Sequence, residues 1–270
     1  MSILEAIVLG IVQGLTEFLP ISSTGHLRIV PAFLGWEDPG TAFTAVIQFG
    51  TMLAVVVYFR HDLWNIAWTW LRSLRDKSLR SKQDARMGWY LIAGTIPISV
   101  LGLAFSDTIE SKTRDLYLIG SMLILLGLVL LAAEKVSKRE RGVQSATLRD
   151  AIAIGFGQAL ALIPGVSRSG STITVGLFLG FEREAAARLS FLLSVPAVVL
   201  SGLYQLGDAL DADQGLGTLL IATFFAFLSG YAAIAGLLRF LADHTTYVFV
   251  AYRVVLGAAV LALTAANVIS

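Results

Sequence analysis

Cysteine is absent from this chain of 270 residues, and charged residues account for only 14% of it. The absence of cysteine excludes a disulfide framework, a zinc–thiolate site and a cysteine nucleophile. The net charge is only +1, and most basic residues fall in segments beside long apolar stretches. We therefore expect no nucleic-acid partner.

Hydrophobic residues dominate instead. They make up 56% of the chain, and the mean hydropathy is +0.76. Values this high exclude an ordinary soluble domain and indicate that membrane lipids surround the protein. An apolar helix of about 20 residues crosses the hydrocarbon layer of a bilayer. The sequence predicts an all-α integral membrane protein with six membrane-spanning helices, at 41–59, 89–105, 116–133, 190–206, 217–238 and 246–266.

A polar loop interrupts the apolar sequence at Pro164–Thr172. Apolar segments at 151–162 and 173–180 flank it, so the guanidinium of Arg168 lies at membrane depth. Non-helical backbone is tolerated there only where protein or a wet cavity surrounds it. Glycines, hydroxyl groups and an arginine at a helix start build an anion site. We predict a re-entrant hairpin at 149–180 whose phosphate-binding residues are Ser167, Arg168, Ser169, Gly170 and Thr172.

The beginning of the chain repeats this region at an offset of 145 residues. Eleven of the thirty residues from 6 to 35 are identical to their counterparts, including Gln13, Ser22 and Gly25. Shared apolar composition does not align a glutamine, a serine and a glycine. We predict a second re-entrant hairpin at 3–35. The single membrane domain, 1–270, then consists of two repeats at about 1–134 and 148–270.

Loop charges predict opposite orientations for the two hairpins. Residues 60–88 and 134–149 carry an excess of arginine and lysine, so both segments should face the cytoplasm. The connections at 106–115, of mixed charge, and at 205–216, which is acidic, then lie outside. Threading the spans through these loops gives an inverted-topology repeat in which broken helices meet near the bilayer midplane.

The tip of the first hairpin carries different chemistry from the second. Glu17 precedes the break at Pro20, and His26 follows Ser23 by three residues, a spacing that permits contact on one helix face. A carboxylate, a hydroxyl beside an imidazole, an arginine and helix-start amides suit transfer of a phosphoryl group to water. His26 can be the base toward Ser23 or the nucleophile itself, and Glu17 can bind a cation or carry protons.

Other polar side chains near membrane depth allow simpler interpretations. Arg253 begins the last apolar stretch, and snorkelling to the cytoplasmic surface accounts for it more simply than a place in the site. Gln48 is as consistent with a bridge between helices as with a contact to the first hairpin. A charged helix start at the inner face comprises Glu182, Arg183, Glu184 and Arg188, and interfacial anchors are expected at Trp64, Trp68, Trp70 and Trp89.

Two motifs resemble those of a known family. They read Gln13-x-x-x-Glu17 with Ser22-Ser23-Thr24-Gly25-His26, and Pro164-Gly165-x-Ser167-Arg168-Ser169-Gly170-x-Thr172. In these motifs, and in length and span pattern over the whole chain, the sequence is similar to the bacterial undecaprenyl-diphosphate phosphatases of the bacitracin-resistance type. The resemblance implies a multi-pass enzyme of the bacterial cytoplasmic membrane. Such an enzyme removes the terminal phosphate from undecaprenyl diphosphate and so recycles the lipid carrier of peptidoglycan synthesis.

The resemblance also implies bacitracin resistance on overexpression, a divalent cation (Mg²⁺ or Ca²⁺) and an active site that opens to the periplasmic side. Gln13 stands where the family often has glutamate, so a cation held by Gln13 and Glu17 would have one carboxylate ligand. Carried onto this sequence, the family's phosphate-binding residues are Thr24, Ser167 and Arg168, and its catalytic residues are Glu17, Ser23, His26 and Arg168. We favour Ser23, activated by His26, as nucleophile over direct attack by His26.

A transporter is the alternative from another functional class. Inverted repeats whose broken helices meet at the midplane also build transporters, and such a site could carry a phosphorylated isoprenoid lipid across the membrane. A carrier needs anion donors but no nucleophile with a base beside it, so the residues favour the hydrolase. The sequence leaves open the prenyl chain length, the identity of the cation and the formation of a homodimer.

Overall fold

The computed structural model describes residues 1–105, 115–204 and 215–269, and within these ranges the secondary structure is helical with no strand. This confirms the predicted all-α class. Short 3₁₀ turns occur at Lys77–Leu79, Val143–Ser145 and Leu160–Leu162. The α-helices of the described residues are α1 Ile3–Phe18, α2 Ser23–Leu34, α3 Gly40–Tyr58, α4 Arg60–Arg75, α5 Gln83–Ala104, α6 Leu116–Val136, α7 Leu148–Ala159, α8 Arg168–Phe178, α9 Arg183–Tyr204, α10 Leu216–Asp243 and α11 Tyr247–Ala265.

Five of these helices, α3, α5, α6, α10 and α11, are long and apolar enough to cross a membrane. The sixth predicted stretch, 190–206, falls on α9, and its last two residues lie outside the described ranges. Most of the connections at 106–115 and 205–216 also lie outside them. The protein is therefore an all-α, multi-pass membrane protein, and six as the number of spans stays a prediction.

Two broken helices, α1 with α2 and α7 with α8, occupy the predicted hairpins. Both returning helices begin in the same way. Ser22 and Ser167 have left-handed backbone angles, with φ of 78° and 72°. Each serine hydroxyl accepts a hydrogen bond from the amide three residues on, at Gly25 and Gly170. This cap helps to offset an unfavourable backbone angle that glycine would adopt without strain.

Glycines let the first hairpin lie in direct backbone contact with the spanning helices. A Cβ atom at Gly10 of α1 would stand 2.3 Å from the carbonyl oxygen of Ala222 on α10, and one at Gly50 of α3 would stand 2.2 Å from that of Thr223. In lipid, where apolar side chains gain little from leaving the solvent, such close backbone packing is a main source of helix association. The helix α10 therefore fixes both α1 and α3.

A buried carboxylate ties three helix ends together. Glu134, near the end of α6, is 1% exposed. It accepts hydrogen bonds from Arg183 at the start of α9, from Arg139 at 2.9 Å and from the Thr246 hydroxyl just before α11 at 2.9 Å. Arg183 is thus more than part of a charged helix start, because it neutralises a carboxylate that burial would otherwise disfavour.

We predict that Gly10→Ala lowers the free energy of unfolding by about 2 kcal/mol, because the added methyl group overlaps the backbone of α10. The measurement is the thermal melting temperature of the purified protein in detergent. Gly236→Ala is the matched control on α10, since no described atom outside the local helix backbone lies within 4 Å of the added Cβ. We expect the control to melt at the wild-type temperature. If Gly10→Ala also melts at that temperature, α1 and α10 are not packed this closely.

Candidate active site

A cavity of about 200 Å³ lies where the two hairpin loops meet α3, α5 and α9. Its polar part is lined by Gln13, Glu17, Ser22, Ser23, Thr24, Thr44, Gln48, Ser167 and Arg168. Its apolar part is lined by Ile98, Ala161, Leu162, Ala197 and Val198. A few convergent polar groups joined to an apolar wall are typical of a ligand site.

Glu17 is the centre of the polar part. Its carboxylate is 5% exposed and forms a salt bridge with the guanidinium of Arg168, which comes from the other hairpin. The second carboxylate oxygen accepts from the hydroxyl of Ser23 at 2.6 Å and from the side-chain amide of Gln13 at 3.0 Å. The two hairpin tips, predicted to face each other, thus meet through a carboxylate and an arginine 151 residues apart in sequence.

The starts of α2 and α8 both open onto this cavity, through Ser22 and Ser23 on one side and Ser167 and Arg168 on the other. The first amides of a helix lack partners within the helix, and the helix dipole favours negative charge beside them. Arg168 adds a full positive charge at the first position of α8. Two helix starts and a guanidinium have the chemistry that suits a phosphate-like anion.

The sequence predicted a contact between His26 and Ser23, but His26 has other partners in the structure. Its Nδ1 atom lies 2.7 Å from the carbonyl oxygen of Ser22, and its Nε2 atom lies 2.7 Å from the hydroxyl of Tyr252 on α11. The side chain is buried and is absent from the cavity lining. The hydrogen-bond partner of the Ser23 hydroxyl in this structure is Glu17 and not His26, and the catalytic role of His26 stays a prediction.

Three of the predicted phosphate-binding residues have other partners. The hydroxyl of Ser169 donates to the carbonyl oxygen of Leu19 at 2.9 Å and joins the two hairpins. Thr172 is fully buried and lies 2.6 Å from the hydroxyl of Ser190 on α9. The amide of Gly170 is capped by Ser167. These residues support the loop, whereas the predicted Thr24, Ser167 and Arg168 line the cavity.

Arg253 lies beside both loops, a place that the sequence interpretation considered but did not favour. It is fully buried instead of snorkelling to the surface. Its guanidinium donates to the carbonyl oxygen of Pro20 in the first loop (3.1 Å) and to those of Gly165 (3.3 Å) and Val166 (3.0 Å) in the second. It also bonds two carbonyl oxygens of α6. The signal was present, because an arginine in an apolar stretch is functional by default.

Thr44 and Gln48 on α3 also line the cavity. Gln48 was predicted to reach either the first hairpin or a neighbouring helix, and its place in the cavity favours the hairpin. Thr44 carried no signal of its own, although it lies one helical turn before Gln48.

The oxygen atoms of Glu17 and Gln13 suit a divalent cation that also binds oxygens of a phosphate ligand. The side-chain oxygen of Gln13 is buried and has no hydrogen-bond partner among the described residues. Within the described ranges, no three histidine, cysteine, aspartate or glutamate side chains come together as metal ligands. A cation bound here would therefore depend on one carboxylate, one amide oxygen and oxygens of the substrate, an arrangement that is common for magnesium.

Residues 6–259 match the protein family described as bacitracin resistance protein BacA. The chain belongs to the BacA family. It is 53% identical to the undecaprenyl-diphosphatase of Nocardioides sp. (strain ATCC BAA-499 / JS614), over 99% of this chain and 98% of that protein. It is 54% identical to the undecaprenyl-diphosphatase of Chloroherpeton thalassium, over 97% of each chain. For the undecaprenyl-diphosphatase of Thermobifida fusca, the identity is 53% over all of this chain and 93% of that protein.

In this BacA-family chain, we predict that Arg253→Met lowers the free energy of unfolding by about 3 kcal/mol, because it removes a buried donor group that holds both loops. Melting temperature and gel-filtration behaviour in detergent provide the measurement. Arg239→Met on α10 is the matched control, because Arg239 is exposed. Equal melting temperatures for both variants and wild type would contradict the role given to Arg253.

Proposed function

We propose that this chain is an undecaprenyl-diphosphatase, which hydrolyses undecaprenyl diphosphate to undecaprenyl phosphate and inorganic phosphate. The observation that carries the proposal is the contact of Ser23 and Arg168 with the same carboxylate, that of Glu17, at the polar end of a membrane-embedded cavity. Membership of the BacA family, and the names of the relatives, agree with this activity. The product is the lipid carrier of peptidoglycan synthesis, and its recycling accounts for bacitracin resistance.

The two parts of the cavity match the two parts of such a substrate. The diphosphate fits the polar end, where Arg168 and the first amides of α2 and α8 bind its oxygens. The prenyl chain follows the apolar wall formed by Ile98, Leu162 and Val198. Ile98 lies on the apolar spanning helix α5, so we expect the prenyl chain to reach lipid along this wall.

The hydrogen bonds suggest how the reaction proceeds. Phosphoryl oxygens replace Glu17 as the partner of Arg168, which stabilises the negative charge that develops on them. The Ser23 oxygen attacks the terminal phosphorus, its proton passes to Glu17, and the bond to the bridging oxygen breaks so that undecaprenyl phosphate leaves. Water then attacks the phosphorus of the phosphoserine, and both of its protons stay on the phosphate that forms. The bond from phosphorus to the Ser23 oxygen breaks, Glu17 returns its proton to that oxygen, and inorganic phosphate leaves as H₂PO₄⁻.

A divalent cation, Mg²⁺ or Ca²⁺, belongs to the proposal. The buried oxygen of Gln13 and the carboxylate of Glu17 would hold it. When bound with the diphosphate, the cation neutralises phosphate charge and polarises the P–O bonds.

The transporter alternative gains no support. The relatives reported above carry the name of an enzyme. A hydroxyl group 2.6 Å from a buried carboxylate serves proton removal, which a carrier does not need.

We predict that phosphate release from a long-chain prenyl diphosphate falls at least about 100-fold in each of Ser23→Ala, Glu17→Gln and Arg168→Lys. The first change removes the nucleophile, the second its base and the third the bidentate anion donor. Release is measured with purified protein in detergent. Chelation by EDTA should stop release in wild type, and added Mg²⁺ or Ca²⁺ should restore it. Ser145→Ala, at an exposed serine outside the cavity, is the control and should retain wild-type activity.

Two results would contradict this account. Wild-type release by Ser23→Ala would exclude Ser23 as the nucleophile. No release by folded wild-type protein with any divalent cation would reject the phosphatase and favour the transporter.

We further propose that the protein lies in the bacterial cytoplasmic membrane and that the cavity opens to the periplasmic side. The support is the positive charge of the segments 60–88 and 134–149, which favours the cytoplasm. The buried carboxylate of Glu134, with its arginine partners, lies at the same ends of the helices.

Because the chain has no cysteine, its orientation can be read from single-cysteine variants. We predict that a membrane-impermeant maleimide labels Glu37→Cys in intact spheroplasts but labels Ser81→Cys only after lysis, since the loop charges place these exposed positions on opposite sides. Wild type, which has no cysteine, gives the background labelling. The reverse labelling pattern would invert the topology.

A further inference from the structure

The imidazole of His26 is held at both ring nitrogens, and its partners fix the position of its proton. A backbone carbonyl oxygen only accepts hydrogen bonds, so the Nδ1 atom that lies 2.7 Å from the Ser22 oxygen carries the proton. The Nε2 atom of the neutral ring then accepts a hydrogen bond from the Tyr252 hydroxyl, at 2.7 Å. The two rings are nearly parallel, at 8°. One tautomer therefore satisfies both contacts.

The carbonyl group that His26 binds belongs to the turn that positions Ser23. Ser22 has a φ of 78°, a backbone angle that a serine adopts only with support from its surroundings. Its carbonyl oxygen accepts from the imidazole and also from the amide of His26. Ser23 follows immediately and donates to Glu17. The imidazole thus supports the turn directly beside the proposed nucleophile.

In the second hairpin, the carbonyl oxygen of the corresponding serine also accepts a hydrogen bond from a side chain. The counterpart of Ser22 is Ser167, which has nearly the same backbone angle. The counterpart of His26 is Ser171, whose hydroxyl donates to the carbonyl oxygen of Ser167 at 3.0 Å. Both turns therefore have a side-chain donor four residues after the serine. A hydroxyl group can rotate to donate to this carbonyl oxygen. A neutral imidazole donates to it only in the tautomer whose proton is on the facing nitrogen.

Tyr252 is well placed to orient that imidazole. It belongs to α11, and the next residue, Arg253, bonds carbonyl groups of both loops. The position of Tyr252 is therefore fixed against the same loops. Its side chain is 43% exposed, whereas that of His26 is buried. Neither residue lines the cavity, so any influence on the reaction passes through Ser22.

We propose that Tyr252 is a positioning residue of the active site: its hydroxyl holds His26 as the Nδ1–H tautomer, and that N–H holds the carbonyl of the Ser22 turn. The proposal rests on the proposed phosphatase activity for its kinetic consequence, but not for the tautomer itself. Loss of the hydroxyl loosens the Ser22 turn while the anion-binding groups of Arg168 and α8 stay in place.

The chain contains three histidines, so His61→Gln and His244→Gln leave His26 as its only imidazole. In this background, ¹⁵N NMR of histidine-labelled protein in nanodiscs should show a single neutral Nδ1–H tautomer. Tyr252→Phe should give a mixture with the Nε2–H form. Tyr247→Phe is the matched control, on the same helix and 46% exposed, and should leave the spectrum unchanged.

Kinetics then connect the tautomer to the reaction. We expect Tyr252→Phe to lower kcat for phosphate release about tenfold, because the nucleophile is displaced, with KM within about twofold of wild type. His26→Asn keeps a donor near the Nδ1 position, so it should retain more kcat than His26→Ala, and Tyr252→Phe should add no further loss to it. This second variant tests the proposal even if Tyr252→Phe alone does not fold.

Three results would overturn the proposal. The first is a spectrum of Tyr252→Phe that retains the pure Nδ1–H form. The second is an imidazolium or an Nε2–H tautomer in the parent protein. The third is a loss of kcat from Tyr252→Phe that is as large in the His26→Asn background as in the presence of His26. Absence of phosphate release from every variant and from wild type, with the tautomers as expected, would reject the proposed phosphatase instead.

Discussion

The guanidinium of Arg253 is the contact on which the two loops depend. Each loop breaks a helix inside a membrane protein and leaves carbonyl groups without helical partners, which is costly away from water. One buried side chain satisfies carbonyl groups from both loops and from α6. The loops are therefore held relative to each other before any ligand binds, and the side chains at their tips can meet in a fixed geometry.

The contact between Glu17 and Arg168 uses that geometry. Each hairpin alone would bury an unpaired charge, and only their meeting neutralises both. In the proposed reaction, a phosphate group that takes over the arginine leaves the carboxylate without its countercharge, which strengthens it as a base toward Ser23. Binding of the anion and activation of the nucleophile are then two consequences of one exchange of partners.

The sequence predicted the helix breaks, the repeat and the meeting of Glu17, Ser23 and Arg168, because proline, glycine and charge at membrane depth have few structural interpretations. It did not predict the partner of His26. Three-residue spacing places two side chains on one face of a regular helix, but His26 is turned toward Tyr252, which is 226 residues away. Ser169 and Thr172 differ for the same reason, since the partner of Ser169 lies in the loop of the first hairpin and that of Thr172 lies on α9.

The size of the cavity limits what the site can recognise. Its volume is about 200 Å³, and we expect it to hold the diphosphate and the first carbons attached to it. The rest of a long isoprenoid tail must remain among the acyl chains of the bilayer. On the proposed function, we expect selectivity to depend on the head group, and lipids with shorter or longer tails to compete through their concentration in the membrane more than through contacts with the protein.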